Sequence, residues 1–195
     1  MRPELTEGPY FVDENLNRSD IRSDPDSGAV QDGATLALAH AVSRIDATSC
    51  TPFEGALVDV WHCNALGVYS DVNDPSGSTV GQPFLRGYQV TDADGMARFT
   101  TIYPGWYSGR AVHIHFKIRT DAGADAGLEF TSQLFFDDGL SAQVFTRAPY
   151  ESKGSPDTSN ADDGIYNQSG GQTLLTVNED GDGYAGTFEI GIQVA

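Results

Sequence analysis

Short runs in which apolar and polar residues alternate with a period of two recur along this chain, punctuated by Gly, Pro, Asp and Asn about every ten residues. Such a pattern cannot present the continuous stripe of an amphipathic helix, and it predicts many short strands instead. Leu36, Leu38, His40 and Val42 alternate with small residues as a half-buried strand does. Further strands are expected at 56–62, 86–91, 96–102, 111–118, 130–136, 172–178 and 184–194. Asp92-Ala93-Asp94-Gly95 and Glu179-Asp180-Gly181-Asp182-Gly183 supply turns. Residues 71–83, 121–127 and 139–163 are loop-like, the last long and irregular with one helical turn at 141–145. Residues 1–33 are dense in turn-forming residues without a helical period and predict an extended arm, in which Gly8-Pro9-Tyr10-Phe11-Val12 is an apolar patch. Strands that each hide one face need a second layer to cover it. The expected architecture is therefore all-β: one domain over 1–195, with an arm (1–33) laid on a β-sandwich core (34–195) with long loops.

Charge narrows the class of partner. With 28 acidic against 11 basic residues the net charge is −17, the wrong sign for nucleic acid or an anionic membrane. No apolar run is long enough to cross a bilayer, and Met1-Arg2-Pro3-Glu4 lacks the apolar stretch of a signal peptide. Cys50 and Cys63 are the only cysteines and lack the Cys-x-x-Cys spacing. Each closes a strand-like run, so an antiparallel pairing of those runs would join them in a disulfide; the alternative is two buried thiols. A disulfide fits an oxidising compartment, so a secreted protein whose leader is absent from this sequence is expected, with the cytoplasm as the alternative.

The chemistry concentrates in Tyr103-Pro104-Gly105-Trp106-Tyr107-Ser108-Gly109-Arg110-Ala111-Val112-His113-Ile114-His115-Phe116. On a strand, residues i and i+2 share a face about 6.6 Å apart, so His113 and His115 point the same way and can chelate one ion. The phenols of Tyr69, Tyr103 and Tyr107 are the unusual donors nearby. A phenol titrates near 10 and ligates well only as phenolate, which a hard trivalent ion stabilises, so tyrosine beside histidine favours Fe(III) over Zn or Mg. Taken singly, each of these residues also fits ordinary packing. His40 and His62 are expected to be structural, and the 178–183 loop a plain turn, since it lacks the bidentate acid of a calcium loop.

Taken together, Glu7-Gly8-Pro9-Tyr10, Gly55-Ala56-Leu57-Val58-Asp59-Val60-Trp61-His62, Gly67-Val68-Tyr69-Ser70, Thr91-Asp92-Ala93-Asp94-Gly95, Tyr103-Pro104-Gly105-Trp106-Tyr107, Arg110-Ala111-Val112-His113-Ile114-His115 and Thr131-Ser132-Gln133-Leu134-Phe135-Phe136 follow a known order. The chain resembles the intradiol ring-cleavage dioxygenases, the non-haem Fe(III) enzymes that include catechol and protocatechuate dioxygenases. The resemblance implies a mononuclear Fe(III) held by Tyr69, Tyr107, His113 and His115, with Tyr107 and His115 axial. It implies a catechol-type diol and O2 as partners, cleavage between the two hydroxyl-bearing carbons, and a cis,cis-muconate-type diacid as product. Tyr107 would leave the metal as a base, Arg110 would steady negative charge on the ring, and Gln133 would hydrogen-bond close by. Gly8, Pro9, Tyr10, Asp13 and Trp106 are expected to wall the substrate pocket. The Pro-Gly-x-Tyr spacing favours Tyr107 over Tyr103.

Only Ser108 and Gly109 separate Tyr107 from Arg110, a shorter interval than in several relatives, which implies an open mouth. The chain also lacks the helical dimerisation segment of the catechol branch, so it looks most like a compact, secreted branch, monomeric or weakly homo-oligomeric. Two other readings share part of the pattern. Transthyretin-like and carboxypeptidase-regulatory sandwiches carry a similar strand and hairpin as non-catalytic binding modules, and a zinc hydrolase could use His113 and His115.

Overall fold

The computed structural model describes residues 2–74, 77–120 and 127–193. Among them the strands are β1 (Thr35–Ile45), β2 (Cys50–Pro52), β3 (Leu57–Trp61), β4 (Asn73–Asp74), β5 (Gly77–Ser78), β6 (Arg86–Val90), β7 (Met96–Ile102), β8 (His113–Arg119), β9 (Glu129–Phe135), β10 (Val177–Asp180) and β11 (Gly183–Gln193), with short helices α1 (Asp138–Val144) and α2 (Gly164–Ser169). β1 is the spine of one sheet. One of its edges pairs in parallel with β11; the other pairs antiparallel with β7 over residues 35–41 and then with β2 over 43–45. β10 extends this sheet beyond β11, and the second sheet runs β6-β3-β8-β9, antiparallel throughout.

Alternation decides what each strand contributes. Leu36, Leu38 and Val42 of β1 and Phe188 and Ile190 of β11 pack against Val58, Val60, Ile114, Phe116 and Ile118 of the facing sheet. β8 is buried along its whole length, because its other row, His113, His115, Lys117 and Arg119, is covered too. The cover is the arm. Leu5 N donates to Thr131 O at 3.0 Å, Phe11 packs on Trp61 with ring centroids 4.9 Å apart, and the ammonium of Lys117 sits 4.1 Å from the Phe11 ring centroid. Lys117 pairs with Glu7 and Glu129, while Arg119 reaches Asp59 at 2.7 Å and Asp13 at 2.8 Å. Two cations thus lie under the arm with carboxylates to offset their desolvation. Gly8 enters this layer at φ +72°, and a Cβ there would come 3.2 Å from His115 Cε1.

Several expectations need correction. The 172–178 run forms a strand only from Val177; before that, Thr173 and Leu175 bond to Phe135. α2 was not expected; the Asp163 carboxylate creates it by accepting from Ile165 N at 2.7 Å and Tyr166 N at 3.0 Å. Most of the expected 121–127 loop lies outside the described residues. Cys50 and Cys63 are both free, the first exposed and the second buried. They do not form a disulfide because β2 joins the β1 sheet while β3, which leads to Cys63, belongs to the other. Burial pushes the Cys63 thiol up to about 12. Two free thiols give no support to an oxidising compartment.

His40 faces the middle of the sandwich, ringed by Phe99, Phe116 and Phe188 at centroid distances of 6.2, 5.1 and 6.3 Å, and neither ring nitrogen has a partner. Burial drives its pKa down to about 3, so it stays neutral. The unfolded imidazole takes a proton near pH 6.5 and the folded one refuses it until about pH 3, so stability falls as pH drops through that window. His40→Leu is expected to raise unfolding free energy by about 1–3 kcal/mol at neutral pH, the cost of orphaned buried polar groups, and to flatten the acid-side decline in urea titrations. Gly8→Ala, which forces an unfavourable φ and crowds His115, is expected to cost about 1–2 kcal/mol and to expose residues 1–33 to limited proteolysis. An unchanged cleavage pattern and Tm would contradict the arm's role as a clamp.

Candidate metal centre

Two glycines bring the tyrosine-bearing segments together. Between β3 and Tyr69 the chain turns around Asn64, whose side-chain oxygen accepts from Leu66 N and Val68 N, each at 3.0 Å. Gly105 N donates to Asn64 O at 3.2 Å. A Cβ at Gly67 would lie 2.0 Å from Trp106 O, and one at Gly105 would lie 2.3 Å from Asn64 O, so both positions require glycine for the segments to meet. The result places the rings of Tyr69 and Tyr107 5.6 Å apart.

β8 presents its histidines to this pair. The Nε2 atoms of His113 and His115 are 3.1 Å apart, and the Tyr69 hydroxyl is 3.4 Å from His113 Nε2. The Tyr107 ring lies 5.6 Å from that of His113. His113 Nδ1 faces the Ala111 carbonyl at 2.7 Å; a carbonyl only accepts, so Nδ1 carries the proton and Nε2 keeps its lone pair toward the cluster. Trp61 stacks on His115 at 5.0 Å and 10°, and Tyr10 stacks on Tyr69 at 4.4 Å.

Burial sets the protonation states. It drives the His113 pKa down to about 3 and that of His115 well below its ordinary value, with the Arg110 charge adding to both and His113 adding to the effect at His115. It lifts Tyr69 well above the usual phenol range and raises Tyr107 also, against the pull of Arg110. Without a cation, all four groups are neutral. The His113 lone pair and the adjacent His115 Nε2, beside two phenols that need a positive charge to ionise, are the donor set a hard, highly charged cation fits. Among the described residues no group of three or more His, Cys, Asp or Glu is arranged for a metal, and the Tyr69 phenol is a side-chain oxygen that lies beside this histidine pair.

Arg110 closes the other side. Its Nη1 is 3.4 Å from the Tyr107 hydroxyl, Nη2 donates to Gln133 Oε1 at 2.5 Å, and Nε donates to Asp163 Oδ2 at 2.8 Å. Gln133 Nε2 donates to Thr6 O at 2.8 Å, which ties the arm to the site. A cavity of about 210 Å³ lined by Val68, Tyr69, Val72, Asp74 and Thr79 adjoins the cluster.

The residues singled out in the sequence thus separate into two groups. Tyr69, Tyr107, His113, His115, Arg110 and Gln133 converge, with Gly8 and Tyr10 against them and Pro9 exposed between those two. Tyr103 does not join them: its hydroxyl meets Ser141 Oγ at 2.8 Å in the core beside Phe136 and Tyr184. Asp13 is held by Arg119, four strand positions beyond His115, and Trp106 turns away to donate to Gly154 O at 2.9 Å under the ammonium of Lys153. His62 is satisfied by Cys63 O and Thr101 Oγ1, as a structural histidine. Trp61, the Thr6 carbonyl and Asp163 were not anticipated at the site. Only Asp163 left a signal, as an N-cap residue before Gly164-Ile165-Tyr166.

The chain resembles known proteins over most of its length. The dioxygenase family model (Dioxygenase_C) matches residues 6–149. Catechol 1,2-dioxygenase 1 of Acinetobacter lwoffii is 28% identical over 162 residues, covering 70% of this chain and 49% of its own. The protocatechuate 3,4-dioxygenase beta chain of Burkholderia cepacia is 32% identical over 137 residues, covering 66% and 56%. The chain spans about half the length of these curated relatives. A solved intradiol ring-cleavage dioxygenase from Tetranychus urticae superposes with a TM-score of 0.84 at 30% identity, covering 99% of this chain and 94% of that one. Family model, relatives and fold converge on one assignment, which the binding-module alternative does not share: the chain belongs to the intradiol ring-cleavage dioxygenase family.

Proposed function

We propose that the chain is a non-haem Fe(III) enzyme that cleaves a catechol-type ring between its two hydroxyl-bearing carbons, placing both atoms of O2 in a cis,cis-muconate-type diacid. The balance is complete without a reductant, since diol plus O2 has the composition of the diacid. The observation that carries this is the pair of Nε2 atoms 3.1 Å apart with the Tyr69 phenol 3.4 Å from one of them. Tyr69, Tyr107, His113 and His115 would hold the ion. Bound there, Fe(III) would act as a Lewis acid, lowering the pKa of the phenols and of the diol hydroxyls.

The remaining work falls to the chain's own side chains. Tyr69 is only 2% exposed, under Tyr10, and serves as a permanent donor; Tyr107 is less buried and faces Arg110, the better position for a phenolate that takes a proton from the incoming diol. The Arg110 guanidinium lies where negative charge on the ring is steadied, and Gln133 fixes its plane. Tyr10 and the Gly8 backbone exclude water from the His115 side. Catechol, carboxylated catechols, hydroxyquinol and larger phenols all satisfy these requirements, and an oxygen-electrode screen across them assigns the substrate.

Phenolate ligation to Fe(III) gives a visible charge-transfer band, so the iron-loaded protein is expected to be red, and chelation should bleach it and stop oxygen uptake together. A colourless protein with stoichiometric iron would rule out the tyrosine ligands. His115→Ala is expected to empty the site by metal analysis, and Tyr107→Phe to abolish oxygen uptake on catechols. Arg110→Ala is expected to keep iron and colour while kcat falls about 10²–10³-fold, the usual loss for one preorganised donor.

A further inference from the structure

Asp163 is 2% exposed, lies beyond the 6–149 span matched by the family model, and touches none of the four groups proposed to hold iron. Its two oxygens do different jobs. Oδ1 caps α2 through Ile165 N and Tyr166 N, at 2.7 and 3.0 Å. Oδ2 accepts from Arg110 Nε at 2.8 Å and from Ala111 N at 2.9 Å, joining the arginine to the backbone two residues before His113, where β8 begins. The cap is anchored in turn: Ile165 and Tyr166 pack on Leu5, Ala111 and Phe135, the Tyr166 ring 5.2 Å from that of Phe135. Burial pushes the Asp163 carboxyl up, but the bonds from Ala111, Arg110 and Tyr166 outweigh it and hold the group below the usual carboxylate range. With Nε on Asp163 and Nη2 on Gln133, two edges of the guanidinium are fixed and Nη1 is left toward Tyr107.

We propose that Asp163 is the positioning residue for Arg110, so that the segment around α2 sets the turnover of the site without contacting substrate; this rests on the dioxygenase reading above. Asp163→Asn is the informative change. Asparagine caps helices as well as aspartate does, so its oxygen can stay on α2 while its NH2 confronts the Arg110 and Ala111 donors.

The test uses the full chain in two forms. In the iron-loaded enzyme, Asp163→Asn is expected to retain iron and the visible band, to lower kcat about 10- to 100-fold, and to change KM less than about threefold. Combined with Arg110→Ala it should be no slower than Arg110→Ala alone, because a residue acting through the arginine has nothing left to position. In the metal-free protein the Arg110 Nε–H resonance, assigned by its loss in Arg110→Ala, should be protected from solvent exchange and lose that protection in Asp163→Asn. Losses that multiply in the double variant, or an unchanged Nε–H resonance, would overturn the proposal. A parent enzyme inert toward every diol would defeat the dioxygenase reading instead, and the Nε–H measurement would still decide whether Asp163 holds Arg110. Where Asp163→Ala fails to fold for want of a cap, Asp163→Asn carries the comparison.

Discussion

β8 divides its side chains between two layers: Ile114, Phe116 and Ile118 enter the sandwich core, while His113, His115, Lys117 and Arg119 lie beneath the arm. Both rows are buried, so the strand can neither slip by one residue nor twist away without placing imidazoles in the core or isoleucines under a charged cover. The site inherits its rigidity from this. A metal-binding pair on a strand edge exposed to water would wander in rotamer; here Trp61 stacks on one ring and the Ala111 carbonyl fixes the tautomer of the other.

The arm is as much a part of the site as the sheet. It pairs Glu7 with Lys117 and Asp13 with Arg119, stacks Tyr10 on Tyr69, and lends the Thr6 carbonyl to Gln133. Together these contacts convert an outer sheet face into an interior one. The pairs farther along β8 are structural: burial raises the Asp59 carboxyl to about 6 against the pull of Arg119, as in an ion pair whose desolvation outweighs its attraction. Near the histidines the outcome differs, since burial there favours neutral imidazoles and neutral phenols.

Much of this was legible in the residues. β7 was expected at 96–102 and spans those residues; β1, β3, β6, β8, β9 and β11 differ from expectation only at their ends or extents, because alternation is a local signal. The start of β10, the short β4–β5 pairing inside the 71–83 run expected to be loop, and α2 were not legible: the 172–178 run gives its first residues to bonds with Phe135, and α2 depends on a carboxylate whose second oxygen is occupied by Arg110 from elsewhere in the chain. The disulfide failed for a related reason, since strands adjacent in sequence were assumed to be adjacent in one sheet.

The sequence by itself determined the period of the strands, the shared face of His113 and His115, and the presence of phenols and a guanidinium within reach of them, since these follow from backbone geometry over a few residues. Only the tertiary structure decided which phenols arrive. Tyr69 comes from the loop after β3 through the glycine contacts at 67 and 105, Tyr103 is turned into the core by Ser141, and Asp163 reaches Arg110 across 53 positions. Those choices depend on how closely distant backbones can approach and on which buried polar groups find partners, and no local pattern carries that information.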